Sequence, residues 1–141
     1  MFWVDVDSTS TATNGFRTMA KALGIPDASI EEVLQTLANA NERWLLVLDN
    51  ADDPSTDYAS YIPSGTRGAV MITSRIRECQ RYSTIAAVAL DGLDLESSTQ
   101  LLLNAAGIEA ASWPAHEKQA QDIVHLLGSH TLAVIQAVAY I

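Results

Sequence analysis

The sequence is poor in positive charge, in cysteine and in lysine. Eight Lys and Arg stand against seventeen Asp and Glu, for a formal net charge of −9. That balance argues against a nucleic-acid or anionic-membrane partner, because both surfaces reward clustered Lys and Arg. Cys79 is the only cysteine, which excludes an intrachain disulfide and makes a reducing, cytoplasmic compartment the default expectation. No apolar run approaches bilayer-spanning length, and no basic segment with an apolar core opens the chain. Lys21 and Lys118 are the two lysines, and neither closes a Gly-x-x-x-x-Gly-Lys-[Ser/Thr] phosphate loop. His116, His125 and His130 are too loosely spaced for a zinc cage. A Gly-x-Ser-x-Gly nucleophile turn is also absent.

What the chain does have is a 48% share of hydrophobic residues over 141 positions, enough for a core of ordinary domain size. Phe2–Val6 reads as a strand from the first residue, with no polar lead-in, which predicts that further chain precedes it. After a Ser/Thr-rich turn over 7–13, the spacing of Phe16, Met19, Ala20 and Leu23 predicts a helix from about Asn14 to Leu23, closed by Gly24 and Pro26. Ser29 with Glu32 makes a capping-box pattern ahead of a second helix carrying Ile30, Val33, Leu34 and Leu37. Trp44–Asp49 and Ala69–Thr73 read as strands, joined by a loop over 51–68, and a fourth strand is expected from about Ala86 to Leu90. From Asp94 onward the pattern is helical. Strands alternating with helices predict an α/β fold, an incomplete parallel sheet of about four strands in three layers over residues 1–91. A partial all-helical subdomain is expected over 92–141.

Chemistry concentrates at the strand ends. The run Arg43-Trp44-Leu45-Leu46-Val47-Leu48-Asp49 stops at a carboxylate and breaks into Asn50-Ala51-Asp52-Asp53-Pro54. A nucleotide-binding sheet uses this pattern to aim an acid at hydrated Mg²⁺, which prefers one or two carboxylates plus water and phosphate oxygens. With no phosphate loop, the sequence carries half of a nucleotide site. Half of the positive residues, Arg67, Arg75, Arg77 and Arg81, gather around the third strand, whose C-terminal end is where open α/β sheets bind ligands. Arg77 and Arg81 read as solvated or paired with nearby acids. Arg75 directly follows Gly68–Ser74, so the strand places its planar fork at the sheet edge, where it suits phosphate oxygens. Ser64-Gly65-Thr66-Arg67-Gly68 precedes a strand instead of linking strand to helix, and reads as a turn. Trp44 and Trp113 read as packing aromatics.

Five blocks in order, Phe2–Val6, Leu45–Asp53, Gly68–Arg75, Leu90-Asp91-Gly92-Leu93 and Leu127-Gly128-Ser129-His130-Thr131-Leu132-Ala133, resemble the NB-ARC ATPases. These are STAND-class switches with a P-loop NTPase-like sheet, and the wording here looks closest to fungal NOD-like proteins. The resemblance implies ADP or ATP as ligand with Mg²⁺, and Asp49 as the acid holding magnesium through water. It implies that Arg75 faces the terminal phosphate and that the Thr131 segment packs near the nucleotide. It also implies a cytoplasmic signalling role in self/non-self or defence recognition.

Departures from the family pattern limit those expectations. The family's first strand and phosphate loop should precede Phe2. Asn50 stands where many relatives have a second acid that activates water, and Asp52 and Asp53 are the nearby substitutes. Thr131 replaces a proline of the helical-domain motif. Weak nucleotide binding and no turnover are expected of the isolated chain. Loss of the central strand would leave sheet edges open, which predicts self-association or docking on full-length NB-ARC proteins, and a non-catalytic interaction module is the alternative function. An enzyme alternative comes from Asp5-Val6-Asp7-Ser8-Thr9, which matches the Asp-x-Asp-x-Thr nucleophile motif of haloacid-dehalogenase-type phosphatases. The later motifs of that family run in reverse order here, with Asp52-Asp53 ahead of Thr73-Ser74.

Overall fold

A computed structural model describes residues 1–138. The chain forms two compact units, Met1–Ala87 and a second from Val88 onward. In the first, strands β1 (Phe2–Asp5), β2 (Trp44–Asp49) and β3 (Gly68–Ile72) build a parallel sheet in the order β1-β2-β3. Helices α1 (Thr9–Ala22) and α2 (Ile30–Ala38) connect β1 to β2. The return from β2 to β3 uses a loop with a 3₁₀ turn at Tyr58–Tyr61.

Local signals explain the elements. Helix α1 begins at Thr9, ahead of the expected Asn14, because Ser8 caps it. The Ser8 hydroxyl accepts the Thr11 N–H at 3.2 Å and the Thr11 hydroxyl accepts the Ser8 N–H at 3.0 Å, a Thr-closed capping box. The helix ends at Gly24, whose φ of +78° only glycine adopts freely, with Ile25 N–H returning to the Ala20 carbonyl at 2.9 Å. Ser29 and Glu32 form the expected box on α2, at 3.2 and 2.7 Å.

Alternation along the strands then sorts the side chains. Val4, Leu46 and Leu48 are buried against Phe16, Met19, Val33 and Leu37 of the two helices, with Val70 and Ile72 packed alongside. The opposite parity holds Trp3, Val47 and Met71, which are cross-strand partners. Trp3 and Met71 remain 58% and 48% exposed.

Two expectations are corrected here. The sheet among the described residues has three strands, since residues 83–94 form no strand or helix, and Ile85, Val88 and Leu90 are more than 80% exposed. Their β-branched and apolar character favours a strand, yet a strand exists only where a neighbour completes its ladder. Within this unit the helices pack on one sheet face, not two, because the second crossover contains no α-helix.

The second unit is helical: α3 (Leu95–Ala105), α4 (Trp113–Leu126) and α5 (Thr131–Val138) enclose Leu102, Leu103, Ala120, Val124 and Val134. Asp94 caps α3 through the Ser97 N–H at 2.7 Å. The Trp113 indole donates to the Ile108 carbonyl at 2.9 Å, fixing the turn into α4.

Candidate functional site

The C-terminal ends of the three parallel strands bring Asp5, Asp49 and Thr73 to one edge of the sheet. Asp5 and Asp49 are register partners on β1 and β2. Immediately after β3, the Thr73 hydroxyl donates to Asp49 Oδ1 and accepts the Asn50 backbone N–H at 3.1 Å. Asn50 itself adopts φ +59°, a left-handed conformation that asparagine tolerates better than most residues. This reversal turns the chain so that the Ala51 N–H reaches the Thr73 carbonyl at 2.9 Å. The Asn50 amide donates to Asp5 Oδ1 at 3.3 Å, and that same oxygen accepts the Asp7 N–H at 3.0 Å.

A second set of bonds joins the next positions. Asp52 Oδ1 accepts the Arg75 backbone N–H at 2.6 Å, and Oδ2 accepts Arg75 Nε–H at 2.5 Å. This is the one ion pair among the described residues. Those hydrogen bonds hold the Asp52 carboxyl below the usual range and push the Arg75 guanidinium still higher. The Ser74 hydroxyl donates to the Ala51 carbonyl at 2.6 Å. Asp53 turns away: its carboxylate caps Ser55 and Thr56, with bonds of 2.7 to 2.9 Å that also lower its pKa.

These contacts decide what the acids can do. A general base works best with a pKa near the operating pH, and Asp52 and Asp53 are both shifted in the opposite direction. Neither is therefore tuned as a general base. Asp49 has one carboxylate oxygen engaged by Thr73 and no other side-chain hydrogen bond among the described residues.

The other sequence candidates are placed apart from this edge or are otherwise engaged. Arg67 precedes β3 and donates to the Asn41 carbonyl at 2.9 Å. Arg81 bonds the Tyr82 hydroxyl and lies over its ring, 4.8 Å from the centroid. Arg77 is exposed on the 3₁₀ turn at Arg77–Tyr82, which leaves Arg75 as the arginine of the group at the sheet edge. Thr131 is the exposed first residue of α5, in the second unit. No lysine bonds to Asp5 or Asp7 among the described residues. The Cys79 thiol donates to the Ala51 carbonyl at 3.2 Å, as a packing group. Among the described residues, no three His, Cys, Asp or Glu converge as a metal cage. A cavity of about 50 Å³ beside Tyr58 and Tyr82, and a groove of about 570 Å³ between α1 and α2, include neither Asp49 nor Arg75.

Sequence reasoning missed Thr73 and Asp52 as organisers of this edge. Thr73 had a signal, its place directly after β3. The Asp52–Arg75 contact spans 23 positions, and no local pattern announces it.

Comparison with known proteins adds a distant likeness. Over its whole length, across 163 aligned positions, the chain is 26% identical to a nucleotide-binding leucine-rich repeat (NLR)-like protein of Hyaloscypha variabilis. The likeness is to an NLR-like protein. The chain spans 16% of that relative's length. No family model matches the sequence. No helix among the described residues is long and apolar enough to cross a membrane.

Proposed function

We propose that this chain is part of an NB-ARC-type switch that binds ADP or ATP with Mg²⁺ in intracellular self/non-self or defence signalling. The observation that carries this reading is the convergence of Asp49 and Arg75 on the C-terminal edge of one parallel sheet, the end at which open α/β sheets take their ligands. The NLR-like relative supports it.

In this reading Asp49 holds magnesium through water. One carboxylate with a free oxygen fits that task, since Mg²⁺ keeps most of its waters and draws other ligands from phosphate. Magnesium would neutralise phosphate charge when bound. Thr73 orients the Asp49 carboxylate, and Arg75 offers donors to the terminal phosphate. With Asn50 in place of an acid, and Asp52 and Asp53 held anionic by their partners, the chain binds without turnover.

The test is ligand linkage, because a ligand that binds the folded state raises its melting temperature by mass action. ATP with Mg²⁺ should raise it more than ADP, Arg75→Ala should weaken ATP more than ADP, and Asp49→Asn should remove the magnesium dependence. Equal losses for both nucleotides in Arg75→Ala would take Arg75 away from the terminal phosphate.

A second reading, a non-catalytic module that docks on full-length NB-ARC proteins or on itself, rests on the exposed Trp3 and Met71 on the sheet face opposite the helices. A full-length partner captured by the purified chain, and lost on changing those two residues, would favour it.

A further inference from the structure

An arginine side chain that is 86% exposed ordinarily samples many rotamers, and a surface ion pair contributes little to stability. Arg75 is held differently. Its backbone N–H and its Nε–H go to the two oxygens of a single carboxylate, at 2.6 and 2.5 Å. Attachment at both ends of the side chain's first section closes a ring through Asp52 and restricts the torsions between them. Asp52 is itself fixed, its side chain only 12% exposed, with the Ser74 hydroxyl 3.4 Å from Oδ1. Ser74 is anchored in turn on the Ala51 carbonyl.

The chemistry of the clasp lies in what it leaves over. A guanidinium carries five N–H donors, and Asp52 takes the one on Nε. The four on the terminal nitrogens have no partner among the described residues. Those four form the side of the fork that matches phosphate oxygens in pairs.

We propose that Asp52 is a positioning residue for Arg75: by taking its N–H and Nε–H, Asp52 presents the two terminal amino groups as a preset fork toward the terminal phosphate of a bound nucleotide. This rests on the nucleotide reading above. Preset donors cost less ordering on binding than a free side chain, so the clasp should favour the ligand with the extra phosphate. Asp52 acts through Arg75 and touches no ligand in this scheme.

Two measurements on the 141-residue chain separate this from a structural role. In ligand-free protein labelled with [¹⁵N]arginine, the Arg75 Nε–H signal, identified by its loss in Arg75→Lys, should exchange with water on the order of tenfold more slowly than in Asp52→Asn, the effect of one charge-assisted hydrogen bond. In melting-temperature titrations, Asp52→Asn should reduce the preference for ATP over ADP as Arg75→Ala does, and the double variant should lose no more than Arg75→Ala alone. Arg75→Lys, which keeps the charge and the backbone bond but has no Nε–H, should lose the same preference and covers the case in which Asp52→Asn does not fold. Equal Nε–H exchange in wild type and Asp52→Asn would overturn the proposal, and so would an unchanged nucleotide preference. If the Nε–H is protected but neither nucleotide shifts the melting temperature, the nucleotide reading fails while the hold of Asp52 on Arg75 stands.

Discussion

Thr73 and Asp49 are joined across the end of the sheet by a hydroxyl that also serves the backbone, donating to the carboxylate and accepting the Asn50 N–H. One side chain thus aims the acid and satisfies the donor of a residue in left-handed conformation. Thr73→Val keeps the shape and removes both bonds. It should cost ~1 kcal/mol in urea denaturation, the net worth of a hydrogen bond of this kind, and Thr73→Ser should restore most of it. Equal stability of the valine variant would mean that water replaces the hydroxyl at no loss.

Gly68 makes a harder demand. It is the register partner of Trp44, and a Cβ there would overlap the indole ring. The ring cannot swing aside freely, because its Nε1–H is bonded to the Leu37 carbonyl at 2.8 Å. Gly68→Ala should therefore destabilise the first unit by ~1–3 kcal/mol, the usual range for overpacking. Denaturation followed by tryptophan fluorescence would show it, and a variant as stable as wild type would mean that the indole relocates.

The sequence displays these features unevenly, for physical reasons. Trp44–Asp49 was legible to the residue, since a buried parallel strand is a continuous apolar run and its end is marked by an acid. Ser29 and Glu32 were equally clear, because a capping box is a local bond. The start of α1 was missed because Ser8, Thr9 and Thr11 suit a turn as well as a cap, and hydrogen bonding decides between them. The stretch from about Ala86 to Leu90 misleads for the opposite reason. Its local preference favours a strand, but a strand forms only when it is paired, and this segment joins no sheet among the described residues. At the edge of the sheet, the strand pattern foretold where Asp49 and Arg75 would emerge. That Asp52 would grip Arg75 depends on how two loops meet.

Acidification should weaken the chain through identifiable groups. Asp94 at the start of α3 and Glu32 at the start of α2 are both held below the usual carboxylate range, chiefly by backbone N–H donors at the helix N-termini. A depressed folded pKa stabilises the fold fully above the unfolded value and is lost as pH falls through the folded one. The loss should thus begin below about pH 5, near the unfolded carboxylate values. Asp94→Ala should lower the melting temperature of the helical unit at pH 7, with the difference from wild type closing as pH falls below the folded pKa. A difference that stayed constant with pH would remove the carboxylate from the cap.

Asn50→Asp places an acid where the local geometry works against it. The Asn50 amide donates to Asp5 Oδ1 at 3.3 Å. A carboxylate there would turn that bond into a like-charge contact, raising the pKa of one or both acids. With raised folded pKa values, the variant should be closest to wild type near pH 4 and fall further behind as pH approaches 7. No ATP turnover should appear in a phosphate-release assay. Turnover would show that Asn50 alone separates this chain from hydrolysis.

The sheet face opposite the helices carries two exposed apolar side chains. Parallel sheets are ordinarily covered on both faces, yet here the helices of the first unit pack on the face of Val4, Leu46, Leu48, Val70 and Ile72. Trp3 and Met71 flank Val47 on the other side and stay substantially exposed. Strand β3 is also an edge, with only β2 beside it among the described residues, and unpaired edges recruit other chains. The net charge of −9 opposes close approach of two copies, so association should strengthen as salt screens it. Sedimentation should give a mass above the 15.2 kDa monomer, rising with concentration and with ionic strength. Trp3→Lys with Met71→Lys should return the chain to a monomer, because two cations on either side of Val47 cannot be buried against a second apolar face without large desolvation cost. A wild-type monomer at every salt concentration would show that neither the exposed Trp3 and Met71 nor the open edge is enough to hold two copies together.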